Sequence, residues 1–399
     1  MMRRRIFSYI ICFFLIFVSG CWDRKELNDR AIWLATGWDV GEKENIRLSG
    51  QIVVPSKMQS QNGGGGGAKE YFTVSATGKN VNDALQNMQT KLSRESFPGH
   101  RRVVFFGEEF AKHGLKHQLD ANTRGPDVSL RTDIFIVKGG TAIEALNLSY
   151  PLEKPPAAAT IKVHEEIGGR GDTAFLSFLI AATSDGVRPT VPVVQIGQSQ
   201  VGDSSGKENA SESVLQIAGV AIFNKDLELI GYLNNLENRA MLWVMGILKK
   251  LTITVPIKNG NASLIMTKIK SDIVPEISKD NKIKFIVKLT GEGALLENNT
   301  DLNLIEPKNI KYMEKKFEER AQKKVQQVIK KVQEEYGTDI FGFGEAIHKK
   351  HPHLWKSLKK DWDMHFSDAI VSVKVNLRVK RIGMTGQSIL SESESNDEN

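Results

Sequence analysis

A short apolar segment that ends at a cysteine constrains this chain more than any other feature. Residues 1–5 read MMRRR, residues 6–18 are almost unbroken apolar sequence, and the small pair Ser19 and Gly20 precedes Cys21 and the charged run WDRKE. A helix that spans a bilayer needs about 20 apolar residues, so this run is too short to remain as an anchor and has the order of a cleaved signal peptide. The folded body is therefore expected to follow residue 20.

Cys21 is the candidate attachment point. The sequence VSGC at residues 18–21 resembles the lipobox of bacterial lipoproteins, although Val18 stands where that pattern prefers leucine. The resemblance implies that Cys21 becomes the new N-terminus and is held to membrane lipid through diacylglyceryl and N-acyl groups. The alternative is an ordinary secreted protein cut nearby, in which Cys21 would be an exposed thiol and a liability outside the cell.

The cysteine count and the charge exclude two classes of protein. Cys12 would leave with the signal peptide, so the mature chain keeps only Cys21 and cannot be a disulfide scaffold. The formal net charge of +7 over 399 residues includes Arg3, Arg4 and Arg5, which leaves a smaller excess on the mature chain. Such an excess supports residence beside anionic lipid headgroups, and we expect no nucleic-acid partner.

Strand and helix patterns alternate along the chain. They predict an α+β protein of three mixed α/β modules, each a β-sheet with packed helices, after a cleaved lipoprotein signal peptide. The predicted boundaries are a signal peptide at 1–20, an N-terminal domain at 22–200, a middle domain at 213–260, a C-terminal domain at 261–385 and a disordered acidic tail at 386–399. The pentaglycine run at 63–67 lacks the lysine and hydroxyl residue of a phosphate loop and is read as a hairpin loop.

Two helices carry clear signals. The longest is predicted near 307–336 and ends at Gly337. Its apolar stripe recurs every three or four residues, at Met313, Phe317, Ala321, Val325, Val328 and Val332. In the middle domain, Asn234 or Asn235 can cap a helix with Glu237 in its first turn, and Leu242 and Trp243 are expected on its buried side.

No histidine or carboxylate pattern has the spacing of a strong catalytic or metal site. His113 and His117 lie four apart but lack the glutamate of a zinc motif. The cluster of His348, His351 and His353 is flanked by lysines that would repel a cation, and His164 stands alone beside Glu165 and Glu166. We therefore expect no metal, no cofactor and no enzymatic activity.

Several segments together resemble one known family. GCWDRKELNDRA at 20–31, GHRRVVFFGEE at 99–109, LNNLENRAMLWVMG at 233–246 and DWDMHFSDAIVSVKVNLRVKRIG at 361–383 are similar, in this order, to the Ger(x)C family of germinant-receptor lipoproteins from spore-forming bacteria. The resemblance implies three α/β modules and a position on the outer face of the spore inner membrane. It also implies integral-membrane A and B receptor subunits as partners, and no catalysis.

The leading hypothesis is a non-enzymatic, lipid-anchored subunit needed for receptor assembly or signal transmission in germination. Asp23, Glu26 and Asn28 are then candidate partner-binding residues because they lie next to the anchor, although short polar residues there could equally cap and orient the first strand. One alternative is a solute-binding lipoprotein that delivers a small molecule to a transporter, which would show two similar lobes around a polar cleft. Another is a lipid-anchored cell-wall hydrolase, which would need a carboxylate or metal site.

Overall fold

Two β-sheets with packed helices form the described part of the protein. The computed structural model describes residues 29–54, 70–124, 129–148, 155–166, 174–198, 213–257, 260–277 and 283–383. The strands are β1 (Arg30–Val40), β2 (Ile46–Val53), β3 (Tyr71–Gly78), β4 (Glu95–Phe97), β5 (Val103–Gly107), β6 (Asp133–Lys138), β7 (Thr190–Gln198), β8 (Ser213–Phe223), β9 (Leu229–Leu233), β10 (Leu251–Ile257), β11 (Gly260–Ile277), β12 (Ile283–Asn298) and β13 (Ile370–Arg381). The helices are α1 (Val81–Gln89), α2 (Glu108–Lys112), α3 (Lys116–Arg124), α4 (Ala142–Asn147), α5 (Pro156–Glu166), α6 (Ala174–Thr183), α7 (Asn235–Val244), α8 (Pro307–Lys331), α9 (Phe343–Lys350), α10 (Pro352–Leu358) and α11 (Trp362–Asp368).

The first sheet has nine strands and is mixed. Its order is β3-β2-β1-β5-β6-β7-β8-β9, and β4 pairs with β1 outside this path. The neighbours β1, β5, β6 and β7 run parallel, whereas the pairs at both ends are antiparallel. Strands β2 and β3 form an antiparallel pair, and the pentaglycine run, predicted as a hairpin loop, lies outside the described residues.

Both faces of this first sheet are covered. Along β5, Val103 and Phe105 belong to one apolar cluster, while Val104 and Phe106 belong to another. All of β5 is buried, as is typical of a central parallel strand with helices on both sides.

The second sheet has four strands in the order β10-β11-β12-β13. Strands β10, β11 and β12 are antiparallel neighbours, and β13 returns parallel to β12 after the segment that holds α8 to α11. The buried residues Leu264, Phe285, Val287 and Val373 pack with the helices in one cluster. The α+β class and the mixed sheets with packed helices, predicted from the sequence, are confirmed.

The described strands form two sheets, where three were expected. Within the predicted middle domain at 213–260, strands β8 and β9 extend the first sheet, and β10 opens the second. The physical reason is that β8 pairs with β7 along one edge and with β9 along part of the other, which makes both strands part of the first sheet. The domain boundaries themselves stay a prediction.

The predictions for the two helices hold. The side chain of Asn234 accepts hydrogen bonds from the N–H groups of Leu236 and Glu237 at 3.0 Å each, and Glu237 completes a capping box. The predicted stripe of α8 is buried, and a π-type turn (Val332–Tyr336) continues that helix. Gly337, with φ of 59°, ends it in the left-handed conformation that glycine adopts at no steric cost.

Within the ranges that the structure describes, none of the helices is both long and apolar enough to cross a bilayer.

Trp243 is expected to be essential for the core of the second sheet. Its side chain is 1% exposed, and its Nε1–H donates to the carbonyl of Lys270 at 3.4 Å. Trp243→Ala should lower the free energy of unfolding by about 3–5 kcal/mol because it leaves a large cavity. Denaturant unfolding of the purified chain measures this change. Leu236→Ala on the same helix is the control: Leu236 is 64% exposed and should change stability by no more than about 0.5 kcal/mol. Equal effects of the two substitutions would contradict the packing.

Candidate functional site

The residues predicted to carry the lipid and partner contacts, Cys21, Asp23, Glu26 and Asn28, precede residue 29 and lie outside the described residues. The signal peptide and the tail at 386–399 lie outside them as well. Their roles stay predictions. The described residues nevertheless contain one polar junction that sequence reasoning missed, and it lies between the two sheets.

The junction joins the loop after α6 to the segment before α9. The backbone N–H of Arg188 donates to the carbonyl of Asp339 at 2.7 Å. The Arg188 guanidinium is 7% exposed, and its Nη2 lies 3.1 Å from Oδ2 of Asp363, in α11. Two further contacts lie at the exposed side of the junction. Ser184 donates from Oγ to the Glu345 carboxylate, and Nζ of Lys359 lies 3.0 Å from Oδ2 of Asp185. The two sheets are thus fixed to each other by backbone and charged side-chain contacts.

Asp339 organises the second side of the junction. Its Oδ1 accepts from the N–H groups of Phe341 and Gly342, each at 2.9 Å. Its Oδ2 accepts from the Gly344 N–H at 2.8 Å and from Nε1 of Trp362 at 3.0 Å. Burial raises the pKa of Asp339 to about 6, while these donated hydrogen bonds act to lower it. A carboxylate surrounded only by donors holds the tight turn that starts α9 and fixes α11 beside it.

Close backbone approach completes the junction at Gly186 and Gly344. A Cβ atom built on Gly186 would lie 2.8 Å from the backbone nitrogen of Glu345, and one on Gly344 would lie 2.7 Å from the Cα of Gly186. These separations are too short for any side chain. The two glycines are therefore required by packing, and the GFG sequence at 342–344 has a structural reason rather than a nucleotide-binding one.

A second contact ties the end of α8 to the first sheet. Nζ of Lys331 lies 3.2 Å from Oε1 of Glu237, the residue that also completes the capping box of α7. The hydroxyl of Tyr336 donates to the carbonyl of Tyr232 in β9 at 3.1 Å. Together with the Arg188 contacts, this gives the two sheets two separate points of attachment.

A cleft of ≈ 570 Å³ lies beside the junction. It is lined by apolar side chains that include Leu119, Leu179 and Leu227 and by polar ones that include Arg188 and Asn224, and Lys359 is its lining residue from the C-terminal part of the chain. Two of its basic side chains already face carboxylates, since Lys359 pairs with Asp185 and Nζ of Lys116 lies 3.9 Å from Oδ1 of Asp226. The cleft is not flanked by two similar lobes, the arrangement expected of a solute-binding protein.

The histidine patterns do not form a site. His113 caps the end of α2, where its Nδ1 lies 2.7 Å from the Glu109 carbonyl oxygen, whereas His117 belongs to α3. Gly114, at φ of +92°, separates the two helices, so the spacing of four does not bring these imidazoles onto one helix face. The ring of His348 stacks on Trp355 with centroids 5.8 Å apart. In the described ranges, no group of three or more His, Cys, Asp or Glu side chains could hold a metal ion.

His164 is a core residue. It is 7% exposed on α5, and its ring meets Phe135 edge-on with centroids 5.4 Å apart. Burial lowers the pKa of His164 to about 4, so the imidazole is neutral at ordinary pH. Its sequence neighbours Glu165 and Glu166 had left a polar role open. In the structure the imidazole instead packs against Phe135, which belongs to an apolar core cluster.

Two family models match this chain. One, described as the spore germination protein N-terminal domain, matches residues 23–196, and the other, described as spore germination B3/GerAC like, C-terminal, matches residues 218–383. The chain is 29% identical to the spore germination protein YndF of Bacillus subtilis (strain 168), over 94% of this chain and 96% of that one. It is 27% identical to the spore germination protein KC of the same strain, over 98% of each chain.

A solved structure has the same fold. The crystal structure of the GerBC protein matches with a TM-score of 0.54 at 19% identity, and the match covers 86% of this chain and 96% of that chain. The match to the C-terminal family begins at residue 218, within β8, which is a strand of the first sheet. The C-terminal family match therefore includes part of the first sheet as well as the second sheet.

Asp339→Asn tests the junction. The substitution replaces one acceptor oxygen by an NH₂ group, which must then face either the N–H pair of Phe341 and Gly342 or that of Gly344 and Trp362. We expect a loss of about 2–4 kcal/mol in the free energy of unfolding, measured by urea titration. The control, Asp185→Asn, removes an exposed partner of Lys359 and should cost no more than about 1 kcal/mol. A loss at Asp339 as small as that of the control would show that the junction does not depend on this carboxylate.

His164 predicts a specific pH dependence of stability. Its pKa falls from 6.5 to about 4 on folding, so the stability that the neutral ring contributes is full above pH 6.5 and is lost as the pH falls toward 4. Between pH 7 and pH 5 the wild-type chain should lose about 2 kcal/mol more of its unfolding free energy than His164→Leu does. Urea titrations at the two pH values measure the difference. His353→Leu, at an exposed site, should keep the wild-type slope, and a wild-type slope in His164→Leu would contradict the burial of a neutral ring.

Proposed function

Because the chain belongs to the spore germination B3/GerAC-like family, we propose that it is a non-enzymatic, lipid-anchored subunit of a spore nutrient germinant receptor, required for receptor assembly or signal transmission in germination. The observation that carries this proposal is the match of family models to both halves of the chain, in the family's order. The resemblance to the Ger(x)C family that the sequence segments indicated is confirmed. The matched families and relatives are named for spore germination rather than for an enzymatic activity.

In this proposal the anchor is Cys21, and the body lies on the outer face of the spore inner membrane. A buried methylene contributes about 0.8 kcal/mol, and two acyl chains suffice for stable attachment where one does not. Attachment confines the protein to the bilayer surface, which raises its effective concentration toward membrane partners without any new contact.

The proposed partners are the integral-membrane A and B receptor subunits, and the proposed contact segment contains Asp23, Glu26 and Asn28. The position of β1 supports this choice. Arg30 begins β1, which pairs with β2 on one side and β5 on the other, so the strand that follows this segment in the sequence is an interior strand of the first sheet. A segment between a lipid anchor and an interior strand is held close to both the bilayer and a rigid body. The same position also suits the alternative role, in which these residues orient the strand.

The solute-binding alternative has less support. It requires two similar lobes around a cleft, but the sheets have nine and four strands and different strand orders. The ≈ 570 Å³ cleft is lined by residues from positions 116–227 together with Lys359, so it does not lie between two lobes.

Charge reversal next to the anchor tests the proposal. Asp23→Lys and Glu26→Lys, in chains whose N-terminal Cys21 is shown by mass spectrometry to be acylated, should weaken co-purification with the A and B subunits about tenfold, the effect of about 1.4 kcal/mol. Nutrient-triggered germination should slow, while germination by agents that bypass receptors stays normal. Glu42→Lys is the matched control, since Glu42 is exposed in the turn after β1.

Two results would overturn the proposal. One is an unmodified Cys21 in the mature protein. The other is normal co-purification and germination of both variants, together with complete loss of function when alanine replaces His164 or His348 in a well-folded chain, since that would indicate a chemical site.

A further inference from the structure

The second sheet is covered on one face and open on the other. Alternate residues of β12 and β13 are buried against the helices, among them Phe285, Val287, Leu289, Val373 and Leu377. The residues between them point away from the helices and are mostly exposed. In the described ranges no helix packs on this side. We call it the outer face of the second sheet.

Basic side chains dominate the outer face. The exposed basic residues are Lys268 and Lys270 of β11, Lys284 and Lys288 of β12, and Lys374, Arg378 and Lys380 of β13. The acidic residues of the same face are Asp272, Glu276 and Glu292. The remaining positions are aliphatic or small and polar, such as Ile286, Thr290, Ile370, Ser372 and Asn376. Not one aromatic side chain occurs among these residues, and lysine is the commonest type.

The strand register concentrates this positive charge. Lys288 lies directly opposite Lys374 on the neighbouring strand. Like charges at neighbouring positions of a sheet repel each other. Acidic side chains of the same face offset part of the charge: Asp272 lies opposite Lys288 and Glu276 opposite Lys284 on β11. The Glu292 carboxylate lies 3.6 Å from Nζ of Lys268 and 3.7 Å from Nζ of Lys380. A shallow cleft of ≈ 290 Å³ lies there, and it is lined by Lys268, Lys380 and Arg381.

The composition of the outer face decides what kind of partner it fits. Protein interfaces are enriched in Trp, Tyr and Arg, which form their energetic centres, and depleted in Lys. Binding to single-stranded nucleic acid uses aromatic stacking, and the outer face has no aromatic residue. Clustered lysines without pockets or aromatic anchors match the anionic headgroups of a bilayer, to which each basic residue near the surface contributes about 1 kcal/mol.

We infer that the outer face of the second sheet is a docking surface for anionic phospholipid headgroups. This contact goes beyond the acyl attachment of the proposed function, since it uses charge on a different part of the chain and needs no modification of Cys21. It depends on ionic strength because exposed charges are screened over about 8 Å at physiological salt. Its role is to hold the body in one orientation on the bilayer.

Lysine reactivity in reconstituted protein tests the inference. The full-length chain is inserted into phosphatidylcholine vesicles, with or without one-third phosphatidylglycerol, and lysine acetylation is quantified by mass spectrometry. Lys288 and Lys374 should react at least about fivefold more slowly in the anionic vesicles, the factor that corresponds to about 1 kcal/mol for each basic residue. Addition of 1 M salt should restore their reactivity. Lys315 and Lys323, exposed on α8 over the other face, should react equally in both vesicles.

Paired variants separate charge docking from general effects. Lys288→Gln with Lys374→Gln should reduce the protection of the neighbouring Lys270 and Lys284 by at least about fivefold, because two headgroup contacts are lost. It should change the melting temperature little, since it removes the like-charge pair and the opposite-charge pairing of Lys288 with Asp272 together. Lys315→Gln with Lys323→Gln makes the same charge change and should leave the protection unchanged.

The outcomes are distinguishable. Protein that enters the vesicles but shows equal acetylation of Lys288 in both lipids overturns the docking inference and leaves the proposed anchoring intact. Protein that remains with the anionic vesicles, with Lys288 protected, but not with the phosphatidylcholine vesicles contradicts the anchoring alone. Protection that appears only after addition of another spore-membrane protein, or of an oligonucleotide, would assign the outer face to that partner and overturn the inference as well.

Discussion

The buried carboxylate of Asp339 fixes the arrangement of the two sheets at its polar junction, beside the apolar cluster that Val220, Ile222 and Leu233 of the first sheet share with the second. The carboxylate accepts four hydrogen bonds, three from backbone N–H groups of a tight turn and one from Trp362. The backbone carbonyl of Asp339 accepts a further one from the N–H of Arg188, in the loop after α6. A buried charged group is weak support for net stability because its desolvation offsets much of the gain. Its effect is specificity: only one conformation of residues 339–344 satisfies every donor, and only that conformation presents a carbonyl to Arg188. The Arg188 to Asp363 ion pair and the contact of Gly186 with Gly344 depend on the same conformation.

The edges of the sheets show a related use of polar side chains. Helix α8 covers the free edge of β13: Glu318 accepts the N–H of Leu377 at 2.9 Å, Glu314 accepts that of Val379 at 2.8 Å, and Gln326 donates to the carbonyl of Val371 at 2.9 Å. On β3, Asn87 and Lys91 donate to the carbonyls of Thr77 and Ser75 at 2.9 and 2.7 Å. Each of these groups would otherwise be a template for pairing with another chain. The edge of β13 is therefore closed to strand pairing with another molecule.

Local sequence signals predicted the local structure, and non-local pairing accounts for what they missed. The stripe of α8, the capping box at Asn234 and the stop at Gly337 each lie within one helix, where spacing alone is informative. The membership of β8 and β9 in the first sheet depends on which strand each one pairs with, and no local pattern carries that information. The junction is harder still, since Arg188 and Asp363 are 175 residues apart in sequence. Alternation in β12 and β13 predicts an exposed face, but the alignment of Lys288 with Lys374 requires the register.

The junction and the outer face have a mechanical connection. A headgroup contact is weak at each lysine and sensitive to salt, so by itself it orients only the sheet that carries it. It can orient the first sheet as well only if the two bodies move together. Two separate attachments provide this: the Arg188 and Asp339 contacts on one side, and the pairs of Lys331 with Glu237 and Tyr336 with Tyr232 on the other. Under the inferred docking, a charge contact on the second sheet would then also set the orientation of the first sheet relative to the bilayer.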